Sequence, residues 1–217
     1  MSDIFQEVDE EVRRERLQKL WEKYGMLVVA ACVVLVAAVG GWRAYDWHQT
    51  KQAAEAGVAY EAAAAFVTQG KHEEAAAAFA KLSADAPSNY RMLARLREAA
   101  ELGRRDAKSA VAIYDALAAD SSVPAVLREL ASVRAGILLV DTAPFDEIRQ
   151  RLEPQTAQDK TFRHSARAAI AMAAWRAKDT AAVKRWSDMI LSDRDTPDGT
   201  RGQIEILMAL SSAEAKS

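Results

Sequence analysis

Thiols and imidazoles are scarce in this chain. One cysteine, Cys32, serves 217 residues, and only three histidines accompany it. A lone cysteine excludes an internal disulfide, and Cys32 sits inside an apolar run where it reads as a small packing residue. His48, His72 and His164 are scattered, and none has a second His, Cys or carboxylate at a spacing that builds a metal site. His72 and His164 therefore read as surface residues. Nine glycines form no phosphate-cradling loop, and no serine occupies a nucleophile elbow. The net charge of -2 leaves no basic footprint for nucleic acid. Glu73 and Glu74 complement a helix N-terminus. "SDRDTPDG", residues 192–199, lacks the ligand order of a calcium loop and reads as a solvated turn. Together these shortages exclude the common catalytic chemistries and imply neither a cofactor nor a small-molecule substrate.

What the chain does have is alanine, 46 of them, and one long uncharged segment. From Tyr24 to Trp42 no residue is charged. These 19 residues span about 28 Å as a helix, close to the ~30 Å hydrocarbon core of a bilayer. Trp21 and Tyr24 stand at one end, with Trp42, Arg43, Tyr45 and Trp47 at the other. Amphipathic rings at both ends mark the lipid headgroup layers. A cleaved signal fits poorly, because an acidic stretch of 23 residues precedes the run and the run exceeds the usual apolar length of about 7 to 15. Arg13, Arg14, Arg16, Lys19 and Lys23 flank the run before it, against Arg43 and Lys51 in the 20 residues after it. That bias places the N-terminus in the cytoplasm. The expected organisation is a cytoplasmic tail (1–23), a transmembrane anchor (24–47) and an exported domain (48–217). In the tail, Phe5, Val8, Val12, Leu17, Leu20 and Trp21 form an apolar stripe, which suits a partner helix, a helix lying at the membrane surface, or a solvated lead-in.

The exported segment repeats itself. "GKHEEAAAAFAKLSADAP", residues 70–87, sets Ala75, Phe79 and Leu82 ahead of a proline. Ala110, Tyr114 and Leu117 follow 35 positions later, and Leu152 another 35 beyond Leu117. Ala182, Trp186 and Met189 restore the set 72 positions beyond the second. A small residue followed by an aromatic one turn later is what stacked helix pairs need: close approach, then a filled gap. The expected helices are 55–68, 72–85, 88–102, 106–120, 123–140, 144–152, 159–176, 180–192 and a capping helix at 199–213. The fold class is all-α, with one N-terminal transmembrane helix followed by an α-solenoid of helix pairs. The pattern resembles the tetratricopeptide repeat. The first helix of each pair lines a groove, and Tyr60, Arg97, Arg134 and Arg167 recur at spacings of 37, 37 and 33. This row is a candidate partner groove for carboxylates or acidic segments. The alternative is that these long side chains merely cover apolar surface.

One anchor followed by degenerate repeats, with "GGWRAYDWHQ" at residues 40–49, resembles the ancillary SecYEG translocon subunit family, the YfgM-like proteins. Gly41, Trp42, Arg43, Tyr45, His48 and Gln49 carry the likeness. The resemblance implies a bacterial inner-membrane protein with a periplasmic interaction domain. It also implies Sec translocon subunits and a periplasmic chaperone or prolyl isomerase-like protein as partners, besides membrane lipid. Rival expectations are a scaffold for cell division or outer-membrane assembly, and a regulator of envelope stress signalling.

Overall fold

The computed structural model describes the backbone of residues 3–214, and the side chains of Arg14, Gln18 and residues 21–213. Of the apolar tail stripe, Phe5, Val8, Val12, Leu17 and Leu20 lie outside the described side chains. Among the described residues the chain is helical, without strands. It forms two units, residues 1–54 and 55–217. Helix α1 (Asp3–Thr68) contributes residues to both.

In the first unit, α1 carries the apolar run. Met26, Val33, Val36 and Val39 are all more than half exposed, and only 6% of the most apolar window is buried. A core helix of a globular domain buries at least one stripe, whereas this one presents hydrocarbon on every side. The segment is a candidate membrane span.

The second unit is a solenoid. It comprises the end of α1, then α2 (His72–Asp85), α3 (Ser88–Leu102), α4 (Ala107–Ala119), α5 (Ala125–Leu139), α6 (Phe145–Leu152), α7 (Arg163–Arg176), α8 (Thr180–Leu191) and α9 (Asp198–Glu214). A 3-10 turn, Glu153–Gln155, extends α6. Prolines set the entries: Pro87, Pro124 and Pro144 immediately precede α3, α5 and α6 in extended conformation. A proline there cannot continue the preceding helix and fixes the start of the next. Asp106 caps α4 and Asp179 caps α8 by accepting from the amides of Ser109 and Ala182.

Two turns within pairs share one geometry. After α1 the amides of Gly70 and Lys71 donate back to the carbonyls of Val67 and Phe66. After α7 those of Lys178 and Asp179 donate to Trp175 and Ala174. This pair of hydrogen bonds needs a left-handed residue. Gly70 supplies it with φ of 75°, and Lys178 adopts φ of 60°.

The repeat residues pack as their spacing requires. Ala75 and Phe79, with Ala56 and Ala63 from α1, form one buried cluster. Tyr114 and Leu117 meet Ala99, Ala131 and Ala135 in the next. The last cluster gathers α5 to α9 around an alanine-rich α7. Gly136 is required where α5 approaches α6, since a Cβ there would stand 2.7 Å from Leu152 Cγ. In the fourth pair two of the three expected positions shift by one: Trp186 is in the core with Val183 and Ile190, while Ala182 and Met189 sit at its edge.

Candidate partner groove

The first helices of the pairs present exposed stripes at helical spacing. On α3 the stripe is Asn89, Leu93, Arg97 and Ala100, and on α5 it includes Val126, Arg134 and Ile137. Arg97 and Arg134 thus occupy equivalent places 37 positions apart. Tyr60, on α1, is half-buried, with its ring edge-on to Phe79 at 5.3 Å between centroids. Its hydroxyl accepts from Arg97 Nε at 3.2 Å. Burial pushes the Tyr114 phenol up, and the positive charges of Arg134 and Arg97 oppose that rise while Glu101 adds to it. One tyrosine thus lies within electrostatic reach of both guanidinium groups. Among the described residues neither Arg97 nor Arg134 is paired with a carboxylate.

Arg167 does not belong to this row. It is 4% exposed and its guanidinium is consumed internally. Nε and Nη2 donate to the Thr156 carbonyl at 3.0 and 2.7 Å, and Nη1 donates to Met189 O and Asp193 Oδ2 at 3.3 and 3.0 Å. The reason is register. Before its last residue, Arg176, the exposed residues of α7 are Ser165 and Met172, seven apart and on one face. Met172 stands 35 positions after Ile137, so the counterpart of Arg134 is Ala169 rather than Arg167. Two residues turn a helix through about 200°, which carries Arg167 to the opposite side.

There it joins a cluster that the sequence reading missed. Asp193, whose side chain is 5% exposed, also accepts from Arg163 Nε at 2.9 Å and lies 3.0 Å from His164 Nε2. The bond from Arg163 leads the influences holding the Asp193 carboxyl far below the usual range; burial opposes it, and the Asp195 amide and His164 assist. His164 and the acidic turn at 192–199 are therefore structural, not merely solvated. His72 is likewise tied down, with Nδ1 2.7 Å from the buried Glu101 Oε2. The visible signal was Arg163 and Arg167 one turn apart, facing an Asp-x-Asp turn. Among the described residues, no three His, Cys, Asp or Glu side chains are placed to hold a metal ion.

The membrane-interface candidates all lie on α1. Trp21, Trp42, Tyr45 and Trp47 are 60% or more exposed, and Tyr24 and Arg43 are exposed as well. Lys23 lies over the Tyr24 ring and Lys51 over the Trp47 ring, at 5.3 and 5.7 Å.

A solenoid of helix pairs with an open row of side chains on its first helices is a protein-interaction scaffold in class. The chain belongs to the tetratricopeptide repeat-like domain family, whose family model matches residues 18–182. No curated protein and no solved structure matches it.

Proposed function

We propose that this chain is a single-pass protein of a bacterial inner membrane, with a cytoplasmic N-terminus and its repeat domain in the periplasm. Its task is binding rather than catalysis: it holds partner proteins beside the Sec translocon and assists the handling of exported proteins. The observation that carries the reading is the groove pair, Arg97 and Arg134, two exposed guanidinium groups with no carboxylate partner among the described residues. Such groups are suited to acidic segments of a partner. The Lys and Arg excess before the span supports the orientation, and the residues Gly41 to Gln49 support the translocon setting by resemblance. Anchoring raises the effective concentration of a groove for membrane-bound partners, so individually weak contacts suffice.

The test is a mild-detergent pull-down of the tagged full chain with mass spectrometry. Recovery of Sec subunits with a periplasmic chaperone or prolyl isomerase-like protein supports the reading. Recovery of cell-division or outer-membrane assembly proteins without Sec subunits overturns the translocon setting. The same result from a chain carrying Arg97→Ala and Arg134→Ala removes the groove from the account.

A further inference from the structure

Beyond Arg134 the groove changes character. Ile137 and Asp141 of the α5 end, Ser165 and Met172 of α7, and Gln203 of α9 line a pocket of about 340 Å³. Its floor is apolar: Ile137 and Met172 remain 40% and 36% exposed, and Ala168 and Ala169 contribute no bulk between them. Gln203 Nε2 lies 4.0 Å from Met172 Sδ, bringing α9 to the rim. Asp141 is exposed and, among the described residues, has no cationic partner. Arg134 lies on α5 and Asp141 in the turn two residues past its end; Val140 keeps helical dihedrals, so seven positions at helical rise separate them by about 10 Å, with Ile137 between them on the Arg134 side of the helix. A polyproline II segment rises about 3.1 Å per residue and completes a turn in about three, so it covers that distance while bringing positions three apart to the same side.

We propose that this pocket is a second subsite of the groove, which seats an aliphatic side chain and takes a basic residue at its rim. The occupant is an extended segment of a partner polypeptide. It carries a carboxylate for Arg134, a lysine or arginine about three positions away for Asp141, and an aliphatic side chain between the two. Charge complementarity fixes this pattern: the site offers cation, apolar floor and anion in that order, so its ligand offers the reverse signs. The inference rests on the groove reading above and extends it from acidic segments in general to mixed-charge ones.

The probes are two fluorescein-labelled octapeptides in which a leucine stands between charges three positions apart. One carries Glu and Lys, and the other carries Glu at both places. Anisotropy is measured with the full chain in mild detergent. The Glu–Lys peptide is expected to bind about three- to fivefold more tightly, the scale of an exposed ion pair. Asp141→Lys, at an exposed turn position, is expected to reverse that preference, and Ile137→Ser to weaken both peptides about tenfold. Circular dichroism confirms that each variant remains folded. Equal affinities in the parent, or a preference unchanged by Asp141→Lys, overturn the inference. Loss of binding in Arg134→Glu with no effect of Asp141→Lys or Ile137→Ser overturns it too, while leaving the groove intact. Absence of saturable binding up to about 1 mM also overturns it, whereas the pull-down alone decides the translocon setting.

Discussion

Replacing Arg167 by methionine keeps most of the side-chain volume and removes every hydrogen bond it donates. Two backbone carbonyls, Thr156 O and Met189 O, lose those bonds, and Asp193 loses one of its cations. Asp193 keeps Arg163 and His164, so the carboxylate is not stranded. About 1 kcal/mol for each carbonyl and slightly more for the ion pair gives a loss of about 3 kcal/mol. In a domain of about 160 residues this lowers the melting temperature by about 6 to 12 °C. Arg134→Met is the control: its guanidinium is exposed and unpaired among the described residues, so the melt should move by no more than about 2 °C. The assay is far-UV circular dichroism of the full chain in mild detergent, paired with peptide anisotropy well below the melt. Arg167→Met should bind as the parent does, and Arg134→Met should bind more weakly. If Arg167→Met melted with the parent and lost binding, the assignment of Arg167 to the Asp193 cluster rather than the groove would be refuted.

Gly136→Ala forces a Cβ against the buried Leu152, and overpacking outweighs the gain in helix propensity, for a net loss of about 1 to 2 kcal/mol by chemical denaturation; a neutral result would show that α5 and α6 can part. Lys178→Gly relieves a left-handed side-chain residue at an exposed turn and should add about 1 kcal/mol of stability, an expectation that an unchanged melt would contradict. Asp193, faced by Arg163, His164, Arg167 and the Asp195 amide, has a depressed carboxyl pKa in the folded chain. Its contribution is therefore present above about pH 4, the ordinary unfolded value, and is lost as pH falls toward the folded value; the acid side of a stability profile should be flatter in Asp193→Asn. Because Cys32 lies in the apolar run, a cysteine placed at exposed Ser121 reports topology: a membrane-impermeant maleimide should label it in intact spheroplasts, and labelling only after lysis would reverse the orientation.

The core was legible and the surface less so, for one physical reason. Ala75, Phe79 and Leu82, and their counterparts 35 positions on, announce themselves because burial restricts which side chains fit. The bounds of α2 and α3 follow directly, with Pro87 between them. In the fourth pair, an error of one residue at two positions was absorbed because Ala182 and Val183, and likewise Met189 and Ile190, are adjacent apolar residues. A groove position has no such tolerance. The helix expected from 159 begins only at Arg163, after turns that place the Thr156 carbonyl against Arg167. Carrying the arginine row onward at a spacing of 33 instead of 35 therefore selected a residue on the wrong face. The Asp193 cluster was hidden differently. Its members are 26 to 30 positions apart, and a charged turn that closes on a distant helix has the same composition as one facing water.

The two arginine environments divide the work of the domain. In a stack of helix pairs each pair is stabilised mainly by its neighbours, so the last pair needs some means of holding its open end. Here α7 supplies it in two ways. Its alanines, buried on most sides, let α8 and α9 approach closely, and Arg163 with Arg167 fastens the turn before α9 through Asp193. Arg201 of α9 adds bonds to the carbonyls of Leu191 and Asp193. Drawing α9 toward α7 in this way also brings Gln203 to the edge of Met172, which turns an open groove into a bounded pocket at that end. Arg97 gives only its Nε–H to the exposed Tyr60 hydroxyl, and Arg134 is paired with no carboxylate among the described residues. Their charges remain exposed at little cost in stability, and the groove can be recharged by substitution without unfolding the repeats that present it.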